Sequence, residues 1–140
     1  MHNRYISHLS FPVLNLQEAK EFYIDILGAR SGRENEEWLD ILIWGHQITL
    51  QLLPDQVLHR NKQGKRHLGV ILPREEFDQL VENIKVKRKG LFYDPQVFYQ
   101  GTDDEQAKFY LRDPSFNVIE VKSYKNFNST LNQTQGAYNY

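Results

Sequence analysis

The 140-residue sequence contains no cysteine, which excludes disulfide bonds, thiolate metal ligands and cysteine nucleophiles. It has no apolar run near the roughly 20 residues that a membrane-spanning helix needs, and its first residues lack the pattern of a signal peptide. No charge of one sign dominates, because 17 basic and 18 acidic residues are mixed along the chain. The field that would attract nucleic acid or an anionic membrane is therefore missing. We expect a cytoplasmic protein whose partner is a small molecule.

Apolar and aromatic residues are well represented, at 40% and 13% of the chain. At this length that content is enough to bury the core of one domain. We therefore expect a single domain over residues 1–140.

The first part of the chain, residues 5–53, predicts a strand, a helix and three further strands. Residues 6–13 alternate between apolar and polar side chains, as a strand does. Asn15 is a typical helix N-cap, an apolar stripe follows at helical spacing, and Gly28 is suited to end the helix. The strand candidates that follow are residues 29–33, 37–44 and 47–53.

The same order recurs in residues 67–124. Residues 67–72 read as a strand, Pro73 opens a helix, and three strands are predicted at residues 96–100, 107–112 and 117–123. The polar segment 54–66 contains Pro and Gly and is predicted to connect the two parts. The tail, residues 125–140, is rich in Asn, Gln, Ser and Thr and is either disordered or packed on a partner subunit. The sequence therefore predicts an α+β fold of two βαβββ modules.

The alternation of side chains along the predicted strands places several polar residues on one face of the sheets. Alternate residues of a strand point to opposite faces, so Leu9 and Phe11 point away from His8. If the apolar faces pack on the helices, the first and last strands of both modules place a polar group on the other face. These four groups are His8, Gln51, His67 and Glu120.

Two imidazoles and a carboxylate on one face form a suitable ligand set for a divalent metal ion. A metal would also offset the free-energy cost of burying Glu120 among apolar neighbours. The alternative is that both histidines bond to the sheet and that Glu120 pairs with Lys122 or Arg112. Parity alone leaves both interpretations open.

Several of these residues carry a family resemblance. The stretch from His8 to Gly28 resembles the opening of the vicinal oxygen chelate superfamily, in which a strand histidine precedes Asn-Leu, Phe-Tyr and Leu-Gly. His67 with Leu-Gly-Val resembles the start of its second module, and residues 113–120 resemble its closing Asp-Pro-x-Gly-Asn-x-x-Glu. The resemblance implies the glyoxalase/bleomycin resistance/dioxygenase fold, a cupped mixed β-sheet around a metal cleft, often in a homodimer. It also implies a particular set of metal ligands, namely His8, His67 and Glu120.

Within that superfamily the chain most resembles predicted extradiol-dioxygenase-like proteins, through residues 44–47 and 101–110. This likeness implies a ring-cleaving enzyme for a catechol-like diol, with Tyr110 as a catalytic residue. It favours Fe(II), with Mn, Zn and Ni as the other candidate ions. Two positions depart from the extradiol pattern, because Asp103 stands where a histidine is expected and Phe116 replaces the usual glycine.

Two further residues are candidates for contact with the substrate. Arg112 shares the parity of Tyr110 and would hold a substrate carboxylate, the alternative being an ion pair with a nearby acid. Gln51 would lie beside the metal ligands or act as an occasional fourth ligand. His46, at the opposite parity to Gln51, is interpreted as a hairpin histidine.

Two other functions remain as alternatives. A glyoxalase-like lyase or isomerase needs a general base beside the metal, and Gln51 stands where such enzymes often have a carboxylate. A non-catalytic, antibiotic-sequestering protein generally lacks the metal ligands, which this sequence has.

Overall fold

The computed structural model describes residues 5–88 and 94–127. The described residues form eight strands in two sheets of four strands each. The strands are β1 (Ser7–Val13), β2 (Arg30–Glu34), β3 (Trp38–Ile43), β4 (His46–Leu52), β5 (Leu68–Ile71), β6 (Gln96–Phe98), β7 (Gln106–Arg112) and β8 (Val118–Tyr124). The helices are α1 (Leu16–Lys20) and α2 (Arg74–Arg88). The predicted α+β fold with two βαβββ repeats is confirmed.

The first sheet has the strand order β1-β4-β3-β2. Strand β1 runs parallel to β4, and His8 lies opposite Gln47 in that pairing. Strands β3 and β4 are antiparallel and are joined by Trp44 and Gly45, both of which have positive φ. Two consecutive residues with positive φ characterise the type I′ turn, whose twist matches that of a hairpin.

The helix of the first repeat starts where the sequence predicts. The Asn15 side chain accepts a hydrogen bond from the Glu18 backbone N–H at 2.9 Å, which caps α1. The predicted helix continues beyond α1 as a π-helical segment, Glu21–Ile26, and Gly28 then takes φ +80°. The stripe that faces the core buries Ala19, Phe22, Tyr23 and Leu27.

The second sheet repeats the order of the first, as β5-β8-β7-β6. Helix α2 begins directly after Pro73 and buries the predicted stripe of Phe77, Leu80, Val81 and Ile84. The ring of Phe77 lies 5.4 Å from that of Phe109 on β7. The side chains of β7 with the parity of Phe109 therefore form the core, and those of the opposite parity form the polar face.

The described residues group into two compact units. One consists of residues 5–67 with Arg112–Ile119, and the other of the described parts of Leu68–Leu111 and of the chain from Glu120 onward. In the first unit, the Leu14 N–H donates to Ser115 Oγ at 2.8 Å, and the Asn117 amide donates to the Pro12 carbonyl at 3.3 Å. These bonds hold the turn before β8 against the end of β1.

The connection predicted over residues 54–66 contains two short 3₁₀ turns, Pro54–Gln56 and Arg60–Lys62. Most of the predicted tail lies outside the described residues. In the part of the chain that the structure describes, neither helix is long and apolar enough to cross a membrane.

Candidate functional site

His8 projects from the polar face of β1. Its Nδ1 lies 2.9 Å from Gln47 Oε1 on the adjacent strand β4. Because a carbonyl oxygen only accepts hydrogen bonds, Nδ1 of His8 is the donor when Oε1 faces it, and the lone pair of the neutral ring is then on Nε2. The neighbour that fixes this ring is Gln47, a residue that sequence reasoning did not single out. It has the same parity as Gln51, but only the strand register shows that it faces His8.

His67 lies immediately before β5. Its Nδ1 is 2.7 Å from the backbone carbonyl oxygen of Lys65, so the same argument places the proton on Nδ1 and the lone pair on Nε2. In both predicted histidine ligands, Nδ1 thus faces a carbonyl oxygen. Metal-bound histidines commonly show this arrangement, since the bond from the second nitrogen sets the orientation of the ring.

Glu120 is buried on β8, with 6% of its side chain exposed. Lys122 Nζ lies 3.7 Å from one carboxylate oxygen and Lys108 Nζ lies 3.9 Å from the other. The pairing with Lys122 that the sequence offered as an alternative is therefore present, together with a second cation, Lys108. Both distances are long for hydrogen bonds, so the lysines act on the carboxylate through charge more than through directed bonds.

Tyr110 lies on β7 with about half of its surface exposed. Its hydroxyl donates a hydrogen bond to Glu120, and this bond, followed by burial and the negative charge, raises the pKa of Tyr110. Lys108 Nζ stands 5.6 Å from the Tyr110 ring centroid and 5.1 Å from that of Phe98. Lys108 has the parity of Tyr110 on β7, a signal in the sequence that would have identified it.

The other two predicted site residues have partners of their own. Arg112 donates from Nη1 to the Phe116 carbonyl at 3.3 Å. The Gln51 amide donates to Ser10 Oγ, and its side chain also lines a cavity of about 290 Å³ on the polar face of the first sheet. That cavity includes Asp40, a buried carboxylate that sequence reasoning missed.

The turn before β8 is organised around Asp113. This buried carboxylate accepts hydrogen bonds from the Tyr23 hydroxyl at 2.9 Å and from the backbone N–H groups of Ser115 and Asn117 at 2.8 Å each. The Asn117 side chain donates a fourth bond at 2.8 Å. Burial raises the pKa of Asp113 although these bonds lower it, and burial next to Asp113 raises the pKa of Tyr23.

The predicted metal ligands are divided between the two units, with His8 and His67 in the first and Glu120 in the second. Over the described residues, neither unit by itself brings together three His, Asp or Glu side chains in a group that could hold a metal ion. The ligand set therefore remains a prediction.

Comparison with solved structures identifies the fold as that of glyoxalase/bleomycin resistance/dioxygenase proteins, and this supports placing the chain in the vicinal oxygen chelate superfamily. A protein described by that name from Alicyclobacillus acidocaldarius superposes with a TM-score of 0.76 at 28% identity, over 89% of this chain and 96% of the other.

Two fosfomycin resistance proteins share the same fold. FosX from Listeria monocytogenes matches with a TM-score of 0.66 at 21% identity, over 86% of this chain and 93% of that one. FosX from Mesorhizobium loti matches with a TM-score of 0.64 at 15% identity, over 92% and 98%. No protein-family model matches the chain, and no curated protein matches it.

Proposed function

We propose that the protein is a divalent-metal-dependent enzyme that acts on a small oxygenated molecule, with His8, His67 and Glu120 as the metal ligands. The observation that carries this proposal is that Nδ1 of each histidine lies within hydrogen-bond distance of a carbonyl oxygen. The distance is 2.9 Å for His8 and 2.7 Å for His67. In metalloproteins such a bond orients the ring and raises the basicity of the nitrogen that binds the ion.

The donor set fits a first-row divalent ion. Imidazole nitrogen and carboxylate oxygen suit Fe, Mn, Ni and Zn, and three protein ligands leave positions open for a substrate. A bound ion would supply Lewis acidity, polarising the oxygen atoms through which a substrate chelates it. We favour Fe(II), because the extradiol resemblance covers the stretch that contains Tyr110 and Glu120.

Residues of the second sheet would orient the ligand carboxylate and receive the substrate. Tyr110 donates to Glu120, so its hydroxyl limits the rotation of that carboxylate while its exposed part faces solvent. Lys108 and Lys122 add positive charge beside Glu120, which favours a substrate with anionic oxygen atoms. Arg112, which uses one N–H to reach the Phe116 carbonyl, has four further N–H donors in its guanidinium for a substrate carboxylate.

The finer proposal is a ring-cleaving dioxygenase that acts on a catechol-like diol. Support comes from the extradiol resemblance and from the match at 28% identity to a protein described as glyoxalase/bleomycin resistance protein/dioxygenase. Two adjacent oxygen atoms would allow such a diol to chelate one ion, and the lysines would favour its ionised form.

The same two lysines favour a second candidate, a lyase-type or isomerase-type enzyme for an anionic small molecule. The two FosX structures share the fold and are described as fosfomycin resistance proteins. This second candidate lacks an evident general base. The Gln51 amide has no basic site at neutral pH, and Glu120 is already a proposed metal ligand. A non-catalytic binding protein would not need carbonyl oxygens placed against Nδ1 of both His8 and His67.

An oxygen-uptake assay tests the finer proposal. The chain would be loaded with Fe(II) without oxygen and mixed with a panel of catechols, and oxygen consumption and ring-cleavage absorbance would be followed. We expect turnover that Tyr110→Phe lowers by about 100-fold and that the exposed control Tyr5→Phe leaves unchanged. Turnover that persists in Glu120→Ala or without iron would contradict the metal assignment. Activity on an anionic substrate without oxygen consumption would favour the second candidate.

We also propose that the chain forms a homodimer, on the basis of the family resemblance. Light scattering at micromolar concentration should give twice the mass of one chain. A monomer mass at that concentration would contradict this part of the proposal.

A further inference from the structure

A cavity on the polar face of the first sheet contains none of the three proposed metal ligands. Its volume is about 290 Å³, and it is lined by Arg33, Trp38, Asp40, Thr49 and Gln51. These residues come from three adjacent strands, β2, β3 and β4. Asp40 lies opposite Thr49 in the β3–β4 pairing and Trp38 lies opposite Gln51, so the cavity follows two successive rows of side chains on one face.

Asp40 forms the acidic part of the cavity wall. Only 5% of its side chain is exposed. The Thr49 hydroxyl donates to Oδ1 at 2.6 Å, whereas Arg33 Nη2 is 3.5 Å from Oδ2. A buried carboxylate offers about four lone-pair positions, and over the described residues these two contacts are the hydrogen bonds to it. Oδ2 is thus positioned to accept a stronger bond from a ligand.

Arg33 already makes the contacts that a cationic ligand would make. Its guanidinium carbon lies 5.8 Å from the Trp38 ring centroid, within cation–π range, and its Nη2 reaches Asp40. The Arg33 side chain is nevertheless 82% exposed. Because the arginine end of this pair is open to solvent and its 3.5 Å contact is long for a hydrogen bond, a ligand could displace the guanidinium from Asp40.

We propose that this cavity binds an organic cation, a guanidinium or primary ammonium group that takes the place of Arg33 between the Trp38 ring and the Asp40 carboxylate. An anion is disfavoured there because it would meet the negative charge of Asp40 in a partly desolvated position. A neutral hydroxyl would make the hydrogen bond to Oδ2 but would gain no cation–π energy from Trp38.

The backbone of β2 and β3 next to Asp40 has features that are typical of a binding site. The β2–β3 pairing shifts register between Ser31 and Glu34, opposite the stretch of β3 that contains Asp40. Such irregularities redirect side chains and occur often beside functional sites. Gly32 lies between Ser31 and Glu34, and a Cβ added there would be 3.1 Å from Asp40 Cβ. The absence of a side chain at this position lets β2 pass close to the carboxylate.

The cavity lies on the same sheet face as His8. His8 pairs with Gln47, and the next row on that face contains Ser10, Thr49 and Asp40. With strands about 4.8 Å apart and same-face residues repeating about every 6.7 Å, the Cα atoms of His8 and Asp40 are about 12 Å apart. The proposed cation site is therefore distinct from the His8 ring and is testable without a metal.

A fluorescence titration of the full-length, chelator-treated chain tests this proposal. Trp38 and Trp44 are the two tryptophans of the sequence, so a Trp44→Phe background makes Trp38 the sole reporter. Three probes share one ring and differ in charge: benzylamine, benzyl alcohol and benzoate. We expect benzylamine to change the Trp38 emission saturably, and the other two to bind about tenfold more weakly or less.

Variants separate the roles of the two charged residues. Asp40→Asn should weaken benzylamine binding by about tenfold or more, whereas Arg33→Ala should strengthen it by about threefold, since the competing guanidinium is gone. Arg30→Ala changes an exposed arginine of the same strand that does not line the cavity, and it should leave the affinity unchanged. If circular dichroism shows that Asp40→Asn does not fold, the proposal is tested by the benzylamine affinity of Arg33→Ala alone.

Three results would overturn the proposal. Equal affinity for benzylamine and benzyl alcohol would show that charge is not recognised. Preferential binding of benzoate, lost in Arg33→Ala, would identify an anion site. The absence of a saturable change with all three probes would show that the cavity does not bind this class of ligand. None of these results depends on whether His8 binds a metal.

Discussion

Gly69 lies at a position in the second sheet that has no room for a side chain. A Cβ at this position would overlap the backbone carbonyl oxygen of Glu120, which passes next to it. The overlap involves the backbone and cannot be relieved by rotating a side chain, so the adjacent strands would have to move apart.

We therefore expect Gly69→Ala to lower the free energy of unfolding by about 3 kcal/mol or to prevent folding. Gly64→Ala is the matched control, because Gly64 has φ +68° but nothing within 4 Å of an added Cβ, and its cost should be about 1 kcal/mol. Urea unfolding measures both variants. Equal costs at the two positions would contradict the close approach at Glu120.

Asp113 gives the stability of the protein a specific dependence on pH. Burial raises its pKa above the ordinary value of 3.8, so the folded protein retains the Asp113 proton to higher pH than the unfolded chain. The contribution of this group to the unfolding free energy is fully present below pH 3.8. It falls as pH rises from 3.8 through the folded-state pKa.

The measurement is urea unfolding at a series of pH values for the natural chain and for Asp113→Asn, which cannot ionise. The stability of the natural chain minus that of the variant should decrease with pH above 3.8. In a Tyr23→Phe background, which removes a hydrogen bond that lowers the Asp113 pKa, the decrease should extend to higher pH. A difference that grows with pH would show that the pKa of Asp113 is lowered instead.

At the residue scale, the sequence predicted the face on which His8 lies but not what it contacts. Parity depends on one strand alone, whereas the partner of His8 depends on the register between β1 and β4, two strands separated by 32 residues between Val13 and His46. The register places Gln47 opposite His8 and Gln51 opposite Pro12, and the Gln51 amide reaches the Ser10 hydroxyl from there. Asp40 was missed because the predicted site drew only on the first and last strands of each module, and Asp40 lies on the inner strand β3.

At the scale of elements, helix α1 depends on its N-cap. Asn15 accepts a hydrogen bond from the Glu18 N–H, and the helical part before the π segment is only the five residues Leu16–Lys20. Asn15→Ala should lower the free energy of unfolding by about 1 kcal/mol, because one of the first N–H groups then lacks its partner.

Asn15→Asp is the matched control for that cap, since a carboxylate accepts the same bond and also interacts favourably with the helix N-terminus. Its stability in urea should be within about 0.5 kcal/mol of the natural chain. A loss equal to that of Asn15→Ala would show that the Asn15 bond is not what stabilises α1.

Elements with strong periodicity were predictable, and the irregular ones were not. Helix α2 and its buried stripe follow from the spacing of Phe77, Leu80 and Ile84. The π-helical segment Glu21–Ile26 and the register shift in β2 have no comparable pattern. Both irregularities depend on how the helix or strand packs against adjacent elements. The spacing of apolar residues does not contain that information.

At the scale of the whole molecule, the proposed metal ligands come from distant parts of the sequence. The unfolded chain does not gather His8, His67 and Glu120, so an ion that binds all three favours the folded state. Saturation with the preferred ion should therefore raise the melting temperature of the natural chain, by about 4 °C for each 1 kcal/mol of stabilisation in a domain of this size. His67→Ala should show no such increase.

The most direct test of the central claim is elemental analysis of the protein, purified without chelators or nickel resin and then reconstituted with each ion in turn. The account predicts about one divalent ion per chain, lost in His8→Ala, His67→Ala and Glu120→Ala and retained in His46→Ala. Absence of metal after every reconstitution would contradict it. So would equal loss in the His46 variant, because that histidine lies at the β3–β4 turn and is not a proposed ligand.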